Sequence, residues 1–222
     1  NIFKNPLFSK NGVKVINKLK NRYSININSV TCDFFMQNPF FKIKNKKKLK
    51  KELNLIYKLI DFSNEVGIKY FIFPLVDNAS LKNKKDELDL IKNLKQFSRN
   101  LLQNKQMILF ESDYEPVKLK KFIKKFSSKC FGINYDLGNS ASLGYKLKDE
   151  KIYFDYVKNI HIKDRKFKGS TVRLGNGNVK FNQFIRYIKK IKFDGNLILQ
   201  TARGKNDFQE FEKNLNFLKK LF

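Results

Sequence analysis

Helix-like and strand-like segments alternate along the whole chain, and this alternation limits its fold more than any other feature. Apolar residues recur at helical spacing over residues 9–22 (Val13, Ile16, Leu19, with Ser9 as N-cap) and 47–66 (Leu49 to Val66, closed by Gly67). The same spacing returns over 84–104, 115–127, 148–156, 180–191 and 207–221. Between these lie short β-branched and aromatic runs at 25–32, 68–76, 106–111, 130–136, 157–163 and 196–201. Strict alternation predicts parallel strands joined by crossover helices. No Pro/Gly/Ser-rich seam interrupts the pattern, so residues 1–222 read as a single domain. Two α/β architectures suit it, an open doubly wound sheet and a (β/α)₈ barrel. The first predicted strand is not followed by Gly-x-Gly-x-x-Gly, which weighs against a dinucleotide-binding sheet. Six predicted strands fall short of the eight in a complete barrel.

Charge enters next, because 47 Lys+Arg against 20 Asp+Glu give a formal net charge of +27. Nearly all of the basic residues are lysines spread along the chain, and Asn, Ile and Phe are also abundant. All are A/T-rich-codon residues, so base composition explains the lysines better than a nucleic-acid groove does. Dedicated phosphate readers favour the planar arginine fork. The densest run, residues 42–51, reads as a solvated loop and first helical turn, and no specific nucleic-acid partner is expected. The longest apolar stretch, 70–76, is too short for a membrane span, and no secretory leader is visible. Two cysteines make no disulfide framework, so the expected location is cytoplasmic. A homo-oligomer is left open.

In both architectures ligands gather at the carboxyl ends of strands. Glu111, Asp136, His161 and Gln200 occupy such positions at spacings of 25, 25 and 39 residues, the rhythm of successive strand–helix repeats. Two carboxylates, one imidazole and one amide oxygen make a mixed N/O set for a divalent cation such as Mn²⁺, Mg²⁺, Co²⁺ or Zn²⁺. One histidine in the chain excludes a multi-histidine cluster. Asn139 sits in the sharp Asp136-Leu137-Gly138-Asn139 turn. Gly175 and Gly177 would let backbone approach a ligand, with Arg173 beside them to meet an anion.

The segments SVTCDFFMQNPF (29–40), GIKYFIFPLV (67–76), ILFESD (108–113), GINYDLGNSASLGY (132–145), NIHIKDR (159–165), VRLGNGNV (172–179) and GNLILQTARG (195–204) resemble, in order and spacing, the sugar-phosphate isomerase/epimerase family of xylose-isomerase-like barrels. The resemblance implies a (β/α)₈ TIM barrel that is incomplete in this chain. About six strand–helix units are present, and the first strand, first helix and second strand are expected before Asn1. It implies a metal at the carboxyl face held by Glu111, Asp136, His161 and Gln200. The first and last of these positions are glutamates in the family and act as paired acid and base. Gln200 departs from that pattern. Lys163, Arg165, Arg173, Arg203 and Asn139 are candidates for holding a sugar or sugar phosphate. The expected activity is proton transfer at a carbon next to a carbonyl. The alternative is a degenerate barrel that binds a sugar or nucleic acid without turnover. The related abasic-site endonuclease barrels need a histidine-rich three-metal cluster that His161 alone does not supply.

Overall fold

The structure, a computed structural model, describes residues 5–202 and 204–222. These residues cluster into two units. The first runs to Ser112 and takes in Lys124–Gly132; the second comprises Asp113–Ile123 and Ile133–Phe222.

In the first unit, α1 (Lys10–Tyr23) is capped by Ser9, whose hydroxyl accepts from the Gly12 N–H at 3.1 Å. Strand β1 (Ser29–Thr31) leads into the short α2 (Asp33–Gln37). The lysine-rich run opens α3 (Lys46–Val66), capped by the Asn45 side-chain oxygen, which accepts from the Lys48 N–H. Leu55, Ile56, Leu59, Ile60 and Val66 form its buried stripe, and Gly67 ends it in the left-handed region at φ 83°. Strand β2 (Tyr70–Leu75) is apolar on both faces and almost wholly buried, as a parallel strand covered on both faces must be. Helices α4 (Lys84–Lys95) and α5 (Ser98–Gln103) precede β3 (Met107–Ser112). β1, β2 and β3 pair side by side, all parallel.

β1 is much shorter than its sequence run, and Pro74 explains where it stops. The Cys32 N–H donates to the Ile72 carbonyl at 2.8 Å. The next rung of a parallel ladder would need an N–H from residue 74, and proline has none. The single helix expected over 84–104 is two. Phe97 lies at ψ −5°, off the α-helical value, and the Ser98 hydroxyl donates to the Lys95 carbonyl at 2.8 Å.

In the second unit, α6 (Pro116–Ile123) is started by the Glu115 carboxylate, which accepts from the Val117 and Lys118 N–H groups. Strand β4 (Phe131–Asp136) enters this unit at Ile133 and runs into α7 (Leu137–Leu143). Helix α8 (Leu147–Glu150) and a 3-10 segment (Lys151–Tyr156) lead to β5 (Val157–Ile162). A hairpin of β6 (Asp164–Arg165) and β7 (Thr171–Val172) follows, then α9 (Phe181–Lys190), β8 (Asn196–Leu199) and α10 (Asp207–Lys219). β4, β5 and β8 are parallel neighbours in that order. The antiparallel hairpin was not expected from sequence.

Behind β4 the side chain of Glu150 is buried and accepts from Tyr135 (2.7 Å), Ser140 (2.8 Å) and Tyr153 (2.9 Å) hydroxyls. Burial raises its pKa, although the three donors pull the other way. Tyr135, Phe154, Phe184 and Tyr187 pack around this network. Leu197 in β8 and Ile25 before β1 stay exposed, and Val30, Ile198 and Leu199 are half-buried, unlike the core residues of β2. Among the described residues no helix is long and apolar enough to cross a membrane.

Candidate metal centre

Parallel pairing of β4 with β5 sets Asp136 opposite His161 and Asn134 opposite Asn159. Side chains two apart share a strand face, so all four point the same way. Asp136 and His161 are 4% and 3% exposed. Asp136 Oδ2 lies 3.8 Å from His161 Nδ1. That is too long for a direct hydrogen bond.

The two oxygens of Asp136 have separate tasks. Oδ1 accepts from the Asn139 N–H at 2.8 Å and caps α7. The expected sharp turn at 136–139 is therefore the first turn of a helix. Oδ2 faces His161 and lies 3.3 Å from Lys163 Nζ. Burial alone would raise the Asp136 pKa, but the neighbouring His161 ring, the Lys163 ammonium and the Asn139 N–H outweigh it and hold the carboxyl below its usual range.

The imidazole is held by a chain of buried amides. Asn159 Nδ2 donates to Asn134 Oδ1 at 2.6 Å, and Asn134 Nδ2 lies 3.1 Å from His161 Nδ1. Asn196 pairs with Asn159 in the next strand, so three asparagines form a layer directly below Asp136 and His161. Asn159 Oδ1 and Asn196 Nδ2 are buried without a hydrogen-bond partner. Polar partners behind a ligating imidazole fix its ring orientation. Their signal in the sequence is an asparagine two residues before each candidate ligand, Asn-Tyr-Asp (134–136) and Asn-Ile-His (159–161).

Gln200 is exposed and follows β8 directly. Its N–H donates to the Ile162 carbonyl at 3.0 Å, so the pairing extends to it. Ile198 lies opposite His161, and Gln200, two residues on, has the same face. Glu111 is buried near the carboxyl end of β3 in the first unit. Arg165 donates to the Asn139 side-chain oxygen at 2.8 Å and, through Nε and Nη2, to the Gly169 carbonyl. Arg203 lies outside the described residues.

The glycine loop is built for another anion than the one expected. Asp164, with no exposed surface, accepts from Gly175 N–H (2.9 Å), Gly177 N–H (2.9 Å) and Val179 N–H (3.1 Å). A Cβ at 177 would fall onto Asp164 Oδ1, and Gly175 has φ +88°. The backbone nest thus closes on the chain's own carboxylate. Arg173 beside it makes a two-pronged ion pair with Glu210, at 2.9 and 2.7 Å. A cavity of about 410 Å³ lined by Tyr135, Ser140, Glu150 and Phe184 lies on the Tyr135 face of β4; Asp136, on the alternate face, does not line it.

A family model described as xylose isomerase-like TIM barrel matches residues 4–221. The chain belongs to the xylose isomerase-like TIM barrel family. Among the described residues, the six parallel strands of the sheet are those of an incomplete barrel of that family. Solved structures share the fold at low identity. A xylose isomerase domain protein from Planctomyces limnophilus aligns with TM-score 0.81 and 16% identity, over 96% of this chain and 83% of its own. The D-allulose 3-epimerase from Methylomonas sp., solved with D-allulose, aligns with TM-score 0.76 and 12% identity, over 95% and 82%. The IOLI protein with a bound zinc atom gives TM-score 0.70 and 14% identity, over 93% and 82%. No curated protein sequence matches the chain.

Proposed function

We propose that this barrel is a metal-dependent isomerase or epimerase of a sugar or sugar phosphate, transferring a proton at a carbon next to a carbonyl. The observation that carries the reading is the in-register pair of Asp136 and His161. Both are buried, both lie at the carboxyl ends of their strands, and the imidazole is backed by Asn134. The ligand set we propose is Glu111, Asp136 and His161, with the Gln200 amide oxygen as a fourth donor. Glu111 enters this set from the family resemblance and from its buried place near the carboxyl end of β3. Two carboxylates, an imidazole and an amide oxygen suit Mn²⁺, Mg²⁺, Co²⁺ or Zn²⁺. The single family model across residues 4–221 supports one barrel domain.

A bound divalent cation would polarise the substrate's carbonyl and hydroxyl oxygens and acidify the C–H between them. The chain's own groups do the rest. The Glu111 carboxylate accepts the proton from the carbon and returns it to the adjacent carbon on the same face. Asn134 holds the His161 ring, and Asn139 holds Asp136. Lys163 is the candidate cation for hydroxyl or phosphate groups; Arg165 beside it is bonded to Asn139 and Gly169, and Arg173 is committed to Glu210. Arg203 is a further candidate cation from sequence. Gln200 can coordinate through its oxygen but cannot take and return a proton near neutral pH. The reading is therefore one-base aldose–ketose isomerisation rather than two-base 3-epimerisation. It acts on a small sugar and calls for no nucleic acid or membrane; the cytoplasmic location belongs to the same proposal.

The test is solvent-deuterium exchange, followed by NMR, with Mn²⁺-loaded protein and a panel of ketoses and their phosphates. Exchange in the wild type, lost in Glu111→Gln and retained in Gln200→Ala, supports the scheme. Gln200 also favours a second reading, a barrel that binds sugar without turnover. Sugar binding with no exchange in any panel member would establish that reading and refute the isomerase.

A further inference from the structure

We infer that Lys163 is a built-in competitor for the metal. Its ammonium occupies the Asp136 oxygen that a cation needs, and it is displaced when the cation binds. This rests on the proposed metal site. Lys163 Nζ lies 3.3 Å from Asp136 Oδ2, the same oxygen that faces His161 Nδ1 at 3.8 Å. The other oxygen is tied to the Asn139 N–H, so Oδ2 is the one left for a cation. A carboxylate buried this deeply needs a positive partner, because an unpaired charge out of water is costly. Lys163 supplies that partner with a side chain still 17% exposed, which leaves it a route to solvent.

The position of the stem is built rather than incidental. A Cβ on Gly138 would lie 2.7 Å from Lys163 Cγ and 3.1 Å from Lys163 Cβ. Only the bare backbone at the start of α7 lets the lysine stem lie against the helix and bring its ammonium back to Asp136. Arg165 packs beside it, its Cγ 3.1 Å from the same point, but its guanidinium is spent on Asn139 and Gly169. Lys163 is therefore the cation of this pair aimed at the ligand oxygen.

Two consequences follow from electrostatics. A cation beside the site weakens binding of a divalent ion, so removing Lys163 tightens it. Once displaced, the ammonium is free to meet an anionic or hydroxyl-bearing ligand. Metal and such a ligand then favour each other's binding, because coupling between two sites is reciprocal.

The experiment is Mn²⁺ titration by calorimetry at fixed pH on the full chain, comparing wild type with Lys163→Met, Lys163→Arg and Asp136→Ala. The Mn²⁺ dissociation constant should fall tenfold or more in Lys163→Met and stay close to wild type in Lys163→Arg. Damage to the fold would weaken binding, so tightening is a signature that a structural role does not produce. Unchanged or weaker binding in Lys163→Met, with wild type binding and Asp136→Ala not, would overturn the inference and leave the metal site standing. If neither wild type nor Lys163→Met binds Mn²⁺, or if Asp136→Ala binds as wild type does, the metal reading fails and takes this inference with it.

Discussion

Replacing Asp164 by alanine should loosen the loop that borders Lys163 and Arg165. Three backbone N–H groups, from Gly175, Gly177 and Val179, lose a charged acceptor at 2.9–3.1 Å. A hydrogen bond to a charged group contributes about 1.5–3 kcal/mol, which for three bonds would be an upper limit. Gly175 is exposed and Gly177 and Val179 half-exposed, so water can replace part of what is lost. A net loss of about 2–4 kcal/mol is expected after that discount. For a chain of this size this lowers Tm by about 4–16 °C. Thermal melting followed by circular dichroism measures the loss, and hydrogen exchange at the three amides locates it. Gly177→Ala presses its Cβ onto the same carboxylate, so the double variant Asp164→Ala/Gly177→Ala should destabilise less than the sum of the two. A Tm within 2 °C of wild type together with unchanged protection of the three amides would refute the internal-anion account.

Asn134→Ala removes the amide beside His161 and should weaken Mn²⁺ binding by about 10–100-fold in calorimetry, with far-UV circular dichroism unchanged. The folded-state carboxyl of Glu150 holds its proton more tightly than the unfolded chain does, so wild-type stability falls as pH rises from the ordinary glutamate range through the raised pKa. Glu150→Gln should flatten that slope in urea melts taken across pH, and parallel profiles for the two proteins would count against the assignment. Arg173→Ala breaks a surface pair with Glu210 and should leave Tm close to wild type, with Mn²⁺ affinity unchanged. Exchange at the substrate carbon should survive Gln200→Ala and vanish in Glu111→Gln; efficient 3-epimerisation by wild type would contradict the one-base scheme.

The alternation of periods was legible without a structure because it is local. A helix needs one apolar stripe every 3.6 residues and a parallel buried strand needs a short apolar run, and each shows within its own segment. The positions of Asp136 and His161 followed from the same rhythm, since a strand end and its spacing to the next repeat are also local. What each polar side chain touches was not legible. Arg173 and the glycines of 175–177 looked like an anion site for a ligand, yet Glu210 and Asp164 supply the anions from inside the chain. Where β1 stops depends on Pro74, more than 40 residues away, because a ladder ends where the partner strand lacks a donor. The amide layer of Asn134, Asn159 and Asn196 exists only once three strands are set in register. The placement of Lys163 on Asp136 likewise depends on a bare glycine at the start of α7. Periodicity decided which residues face inward. Tertiary packing decided which charge meets which, because electrostatic partners are chosen by distance in space rather than by separation along the chain.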